Sequence, residues 1–168
     1  MKFNKKKTFP QNTQQFVERL IKISRVSKVT KGGKKLSFRA IVVAGDEKGT
    51  VGIGVAKADD VLNAFKKAKT NARKNLITIP ITKSLSIPHE VEGSFGACKI
   101  IMKPAIEGSG VIAGGSIRIV LEVAGVKNVI AKQLGSNSLL NNARAAIRTL
   151  NKLTTRTDVE KNRNIKLN

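Results

Sequence analysis

Residues 27–57 read SKVTKGGKKLSFRAIVVAGDEKGTVGIGVAK, and the way their apolar positions alternate decides the fold class. Over 36–44 (LSFRAIVVA), Leu36, Phe38, Ala40 and Val42 fall on one side of an extended chain, whose side chains alternate with period two. Gly32-Gly33 marks a hairpin turn before this strand, GDEKGT turns the chain after it, and VGIGVAK (51–57) forms the next strand. Gly52 and Gly54 share one face of that strand, which leaves a smooth surface for another backbone or a helix to approach. Working backwards, FVERLIKISRV (16–26) fits a helix through Phe16, Leu20 and Ile23 and a strand through Val17, Ile21 and Ile23; the β-branched residues favour the strand. Working forwards, Asp59 reads as the cap of a helix, VLNAFKKAKTNARKNL, with Val61, Leu62, Phe65, Ala68, Ala72 and Leu76 as its core stripe. A βββα domain over 16–79 is therefore expected.

The second half reads as βαβα over 80–154, making the whole chain a two-domain α+β protein. ITIPITKSLSIPHE, with Pro80 and Pro88, serves as connector, and its His89 reads as a loop residue. A strand near Ala97–Lys103 packs Cys98 as a small apolar residue and stops at Pro104. EGSGVIAGGS (107–116) then opens the helix GSIRIVLEVAG, closed by Gly125. NVIAKQLG is a further strand, and Ser138 caps a helix with Leu139, Ala143, Ala146, Leu150 and Leu153 on one side. Residues 1–15, with Lys5, Lys6, Lys7 and Pro10, read as a flexible basic arm, and 155–168 as a fraying tail.

Charge sets the partner. The 168 residues carry 32 Lys+Arg against 11 Asp+Glu, a formal +21, which seeks a polyanion. Residues 1–80 hold 19 basic and 5 acidic side chains and 81–168 hold 13 and 6, so the basicity is concentrated in the first domain. Lys28, Lys31, Lys34 and Lys35 crowd the hairpin tip, and Lys66, Lys67, Lys69, Arg73 and Lys74 line the outer side of the helix, giving an RNA-facing rim. An edge hairpin protected by lysines is the alternative reading of the tip. With no Trp, no Tyr and six Phe, base stacking on single strands lacks its material, and folded RNA read through phosphates and shape remains. A membrane is not expected, because no apolar run could span it. The basic N-terminus has no apolar signal core and is too poor in Arg for a transit peptide.

Catalytic chemistry finds little purchase. One Cys and one His supply neither a disulfide nor paired metal ligands, and no cofactor or small-molecule substrate is expected. The one competing reading is a small-molecule kinase-like phosphate site on Gly108, Gly110, Gly114 and Gly115 ahead of a helix. That loop lacks the Lys-Ser/Thr of a P-loop and the spacing of a dinucleotide fingerprint.

The runs RVSKVTKGGKKLSFRAIVVAGDEKGTVGIGVAKADDV, KAKTNARKNL, PAIEGSGVIAGGSIRIVLEVAGVKNVIAKQLGS and NNARAAI closely resemble the small-subunit ribosomal protein five family of bacteria and plastids over about 16–153. The resemblance implies an N-terminal domain like a double-stranded-RNA-binding fold without its first helix. It also implies a C-terminal domain with a left-handed βαβ crossover, against the usual right-handed rule. By resemblance, Arg25, Ser27, Lys28, Lys31, Gly32, Gly33, Lys34, Lys35 and Lys57 would bind 16S-type rRNA, and Val26 would join them at the hairpin tip, near the region associated with spectinomycin sensitivity. Gly108, Gly110 and Arg118 would lie at a protein interface with ribosomal protein four. Ribosomal protein eight and mRNA entering the subunit would be neighbours, and with proteins four and twelve the chain would support translational accuracy. Heavy use of Lys, Asn and Ile suggests an AT-rich genome and favours a plastid stroma over a bacterial cytoplasm.

Overall fold

The computed structural model describes residues 16–164, so the basic arm over 1–15 lies outside the described residues. Strands β1 (Val17–Thr30), β2 (Gly33–Gly45) and β3 (Thr50–Ala58) form an antiparallel sheet, helix α1 (Val61–Lys74) packs on it, and a short β4 (Leu76–Thr78) adds to its edge in the order β1-β2-β3-β4. The expected βββα domain is thus present with one extra strand, which overlaps the start of the connector.

Pairing register assigns the two faces. Opposed residues share a face in an antiparallel sheet, so Leu36, Phe38, Ala40 and Val42 of β2 join Gly54, Ala56 and Ala58 of β3. This face receives α1, with Ala64, Ala68 and Ala72 buried in its seam. The closeness is set by the glycines: a Cβ on Gly54 would strike the Ala68 carbonyl and the Ala72 nitrogen, and one on Gly52 would meet the carbonyls of Ala72 and Asn75. Two corrections follow. Leu62, expected in the core, is 73% exposed, because the small-residue seam at four-residue spacing, and not the largest side chains, faces the sheet. The helix N-cap is Asp60 in place of Asp59, and Asp60 accepts from the Asn63 amide at 3.0 Å.

A bulge at Ile21 shifts β1 by one residue between Leu20 and Lys22. Val17, Ile21 and Ile23 therefore do not form one stripe: Ile23 sits opposite Ala40 on the α1 face, while Ile21 packs into the other core.

In the second half, β5 (Val91–Phe95), β6 (Cys98–Pro104), β7 (Val111–Ile112) and β8 (Val129–Gly135) form a sheet in the order β5-β6-β8-β7. Helix α2 (Gly115–Ala124) joins β7 to its parallel neighbour β8, and α3 (Leu139–Leu150) packs on β5 and β6. Strand β5 is an addition to the expected order, hidden in the sequence because Gly93 interrupts its pattern. That glycine is where α3 comes closest, since a Cβ there would strike the Thr149 hydroxyl. Cys98 is buried as expected, and His89 ties the connector to the chain beyond α3 by accepting the Thr154 N–H on Nε2 at 3.2 Å. Of the tail expected to fray over 155–168, Arg156–Arg163 form helix α4, started by a capping box in which Thr155 and Asp158 satisfy each other's backbone N–H groups, and 165–168 lie outside the described residues.

The halves share one core. Val43, Val51 and Ile79 cluster with Ile117, Val120, Leu121 and Val123 of α2. The β2–β3 turn also caps α2: Glu47 N–H donates to the Val123 carbonyl (3.2 Å) and Gly49 N–H to the Ala124 carbonyl (2.9 Å), satisfying groups a helix end leaves open. Asp46 holds this turn by accepting the N–H groups of Lys48 (2.9 Å) and Thr50 (2.8 Å). Burial raises the Asp46 carboxyl pKa, but these bonds together outweigh it and keep it below the ordinary value.

Candidate nucleic-acid interface

The face of the first sheet away from α1 is divided along its length. At one end Ile21, Val43 and Ile53 are covered by the second domain. The other end is open, and there the same alternation that places Val43 and Ile41 inward exposes Arg39 and Lys35, with Ser37 between them. Register sets Lys35 directly opposite Lys28, and Arg39 directly opposite Lys57. Each is a like-charge pair that disfavours the fold by about 0.2–1 kcal/mol. Around them lie two shallow hollows of about 240 and 340 Å³, the first lined by Val26, Ser27, Lys28, Ser37, Arg39 and Lys57, the second running past Asp59 toward Lys67. Asp59 is the one acidic side chain lining them, accepting from the Ser37 hydroxyl at 3.4 Å and lying 3.8 Å from Lys35 Nζ.

Beyond Phe38 the β1–β2 pair has no third strand, since β3 ends at Ala58 opposite Phe38. The ribbon overhangs by five residues per strand, about 16 Å at 3.3 Å per residue, and residues 27–36 are all exposed. Lys31 and Gly32 form its turn, Gly33 follows with φ of 144°, and Lys34 sits opposite Val29, itself 71% exposed. A two-stranded ribbon without a core is marginal in water.

Of the residues expected at this surface, Lys28, Lys35 and Lys57 converge on the open face and Lys31, Gly32, Gly33 and Lys34 cap its end. Arg25 and Ser27 fall on the α1 side of the sheet by register, opposite Phe38 and Leu36, although Ser27 also borders the first hollow. Ser37 and Arg39 are additions to the expected set, and a signal for them exists in the sequence: period two from Lys35 reaches both. The rim expected along α1 is partly neutralised. Lys69 and Arg73 reach Glu18 at 2.7 and 3.0 Å, and Arg73 also stacks on Phe16 at 5.3 Å.

At the far side of the second domain, Gly108 (φ 90°) and Gly110 (φ 72°) turn an exposed loop. The Gly108 N–H is taken by the Asn128 side chain at 3.1 Å, and Arg118 donates from Nε and Nη2 to the Val111 carbonyl at 3.3 and 2.8 Å. Strand β7 intervenes between this loop and the α2 N-terminus at Gly114–Gly115, so the four glycines do not make a single phosphate cradle. Around the loop stand exposed apolar side chains, Ile106 (84%), Ile112 and Ile130, the last two opposite each other in register. Among the described residues no cluster of His, Cys, Asp or Glu could hold a metal, and no helix is long and apolar enough to cross a membrane.

Comparison with known proteins matches residues 16–80 to the N-terminal domain of ribosomal protein S5 and residues 93–163 to its C-terminal domain, a stretch that takes in α4. The chain is 78% identical over 156 residues to small ribosomal subunit protein uS5c of Phaeodactylum tricornutum, covering 92% of this chain and 89% of that one. It is 78% identical to uS5c of Trieres chinensis (91% and 83% covered) and 62% identical to uS5 of the Nostoc punctiforme strain PCC 73102 (88% and 85% covered). With both halves matched in order and relatives matched nearly end to end, the chain belongs to the ribosomal protein S5 family, a family of structural ribosomal proteins and not of enzymes.

Proposed function

We propose that the chain is a structural constituent of the small ribosomal subunit that grips folded rRNA with the open half of its first sheet and meets protein neighbours with its second domain. The single observation that carries the RNA reading is the pair of like-charge oppositions, Lys28–Lys35 and Arg39–Lys57, on a face left uncovered. A fold holds cations opposite one another at a cost in stability, and a phosphate backbone lying across them relieves it. Ser27, Lys31, Gly32, Gly33 and Lys34 extend the grip along the ribbon, and Arg25 serves the neighbouring side of it. Replacing Lys28, Lys31 and Lys34 by Ala in the full chain should weaken binding to a small-subunit rRNA transcript and lower the slope of log affinity against log salt by about 2–3. An unchanged slope would remove the ribbon from the interface.

Gly108, Gly110 and the exposed isoleucines beside them suit a protein contact, which we assign to ribosomal protein four, with protein eight as a further neighbour and mRNA entry nearby. Apolar anchors ringed by polar groups are what such contacts use. Because the turn over 46–49 caps α2, the first sheet and the second domain are joined by direct hydrogen bonds as well as by the connector, and this supports a role in accuracy together with proteins four and twelve. Arg118→Leu frees the Val111 carbonyl and loosens the loop, so misreading in a reporter should change more than subunit yield; unaltered fidelity counts against the assignment. The setting proposed is the ribosome of a plastid stroma, with the bacterial cytoplasm as alternative.

A further inference from the structure

The charge of the second domain is more ordered than its modest total suggests. Arg144, Arg148 and Lys152 are spaced by four along α3 and its end, and so share one side. The two arginines gather on Phe95, the one Phe between 81 and 168, a stretch with no Tyr or Trp. The Arg148 guanidinium carbon lies 4.5 Å from the ring centroid and that of Arg144 5.4 Å, while Lys152 Nζ donates to the Glu92 carbonyl of edge strand β5 at 3.1 Å. Among the described residues no carboxylate pairs with any of the three, and the nearest acid by contact, Glu92, has its side chain on Lys99 at 2.7 Å.

Two cations on one ring repel each other, as like charges four apart on a helix do. The ring holds a guanidinium by its flat face, which leaves the donors in the guanidinium plane for a bidentate acceptor. No large apolar side chain of β5, of the β5–β6 turn or of α3 is among the exposed ones, so the patch lacks the anchors of a protein interface and keeps only its charge.

We propose that Arg144 and Arg148, mounted on Phe95, form a second contact with the phosphate backbone of folded RNA, separate from the ribbon of the first domain. The proposal rests on the rRNA-binding reading above and adds a site in the half of the chain assigned to protein contacts.

The test uses the full chain and a small-subunit rRNA transcript between 50 and 200 mM salt. Arg144→Gln/Arg148→Gln leaves two phosphates without their cations and should lower the salt slope by about 1.8, so that wild type loses about twelvefold more affinity than the variant across that range. Arg144→Lys/Arg148→Lys keeps both charges and should restore most of the slope while binding several-fold more weakly, because Lys offers no fork and stacks less well. Should the Gln pair melt early, Arg148→Gln alone, with an expected slope change of about 0.9, decides. A Gln pair that stays folded and binds RNA with the wild-type slope overturns the proposal, and if it also fails to enter small subunits the patch serves an acidic protein instead. A steep wild-type slope removed by the Lys28/Lys31/Lys34 triple variant but untouched by the Arg pair overturns the second contact alone. A wild-type chain with no slope overturns both readings.

Discussion

Lys57→Gln separates the RNA reading from a purely structural one, because the two effects it should have run in opposite directions. Lys57 sits directly across from Arg39 on the exposed end of the sheet, and no ion pair is formed by either among the described residues. Opposed like charges on a sheet cost about 0.2–1 kcal/mol, less as salt screens them. Removing one should therefore stabilise the free protein by up to that amount, which for a chain of this size raises the midpoint of thermal unfolding by about 1–3 °C. The same change removes one phosphate contact, so the salt slope for rRNA should fall by about 0.9, or about 3.5-fold in affinity between 50 and 200 mM. Thermal unfolding at low salt and a filter-binding titration over that range read the two quantities independently. A variant that melts lower and binds with the wild-type slope would refute the reasoning on both counts: the pair would be part of the packing and not a site held in tension for a polyanion.

Two further outcomes test the scaffold. Gly54→Ala drives a methyl group into the backbone of α1 at Ala68 and Ala72, where neither carbonyl nor nitrogen can swing aside, and should cost about 3 kcal/mol or more in denaturant unfolding, with rRNA binding lost along with the fold. The Asp46 turn predicts an acid limit: its carboxyl is held below the ordinary value of 3.8, so its contribution to stability is fully present above that pH and is lost as pH falls through the lower folded-state value. Asp46→Asn should accordingly be less stable than wild type at neutral pH and converge with it in acid.

Much of the first domain is legible because its signals are local. Period two in 36–44 and the paired glycines at 52 and 54 depend only on neighbours in sequence, and both the sheet and the close helix approach follow from them. Side-chain size misleads as a guide to burial: Leu62 points outward because the α1 seam is fitted to glycine and only alanine is small enough to enter it. The capping box at Thr155 and Asp158 is written in the chain but easily passed over, since the residues after it lack an apolar stripe.

By itself the sequence determined a basic, two-domain α+β chain whose cations concentrate in the first domain, because charge and alternation are properties of the chain in any conformation. Only the tertiary structure decided which half of the β2 face stays open, since that depends on where the distant helix α2 docks. The Ile21 bulge, the turn over 46–49 closing the end of α2, and the two arginines meeting on Phe95 are of the same kind. Each joins groups distant in sequence, and it is long-range packing that turns a diffuse charge of +21 into particular surfaces.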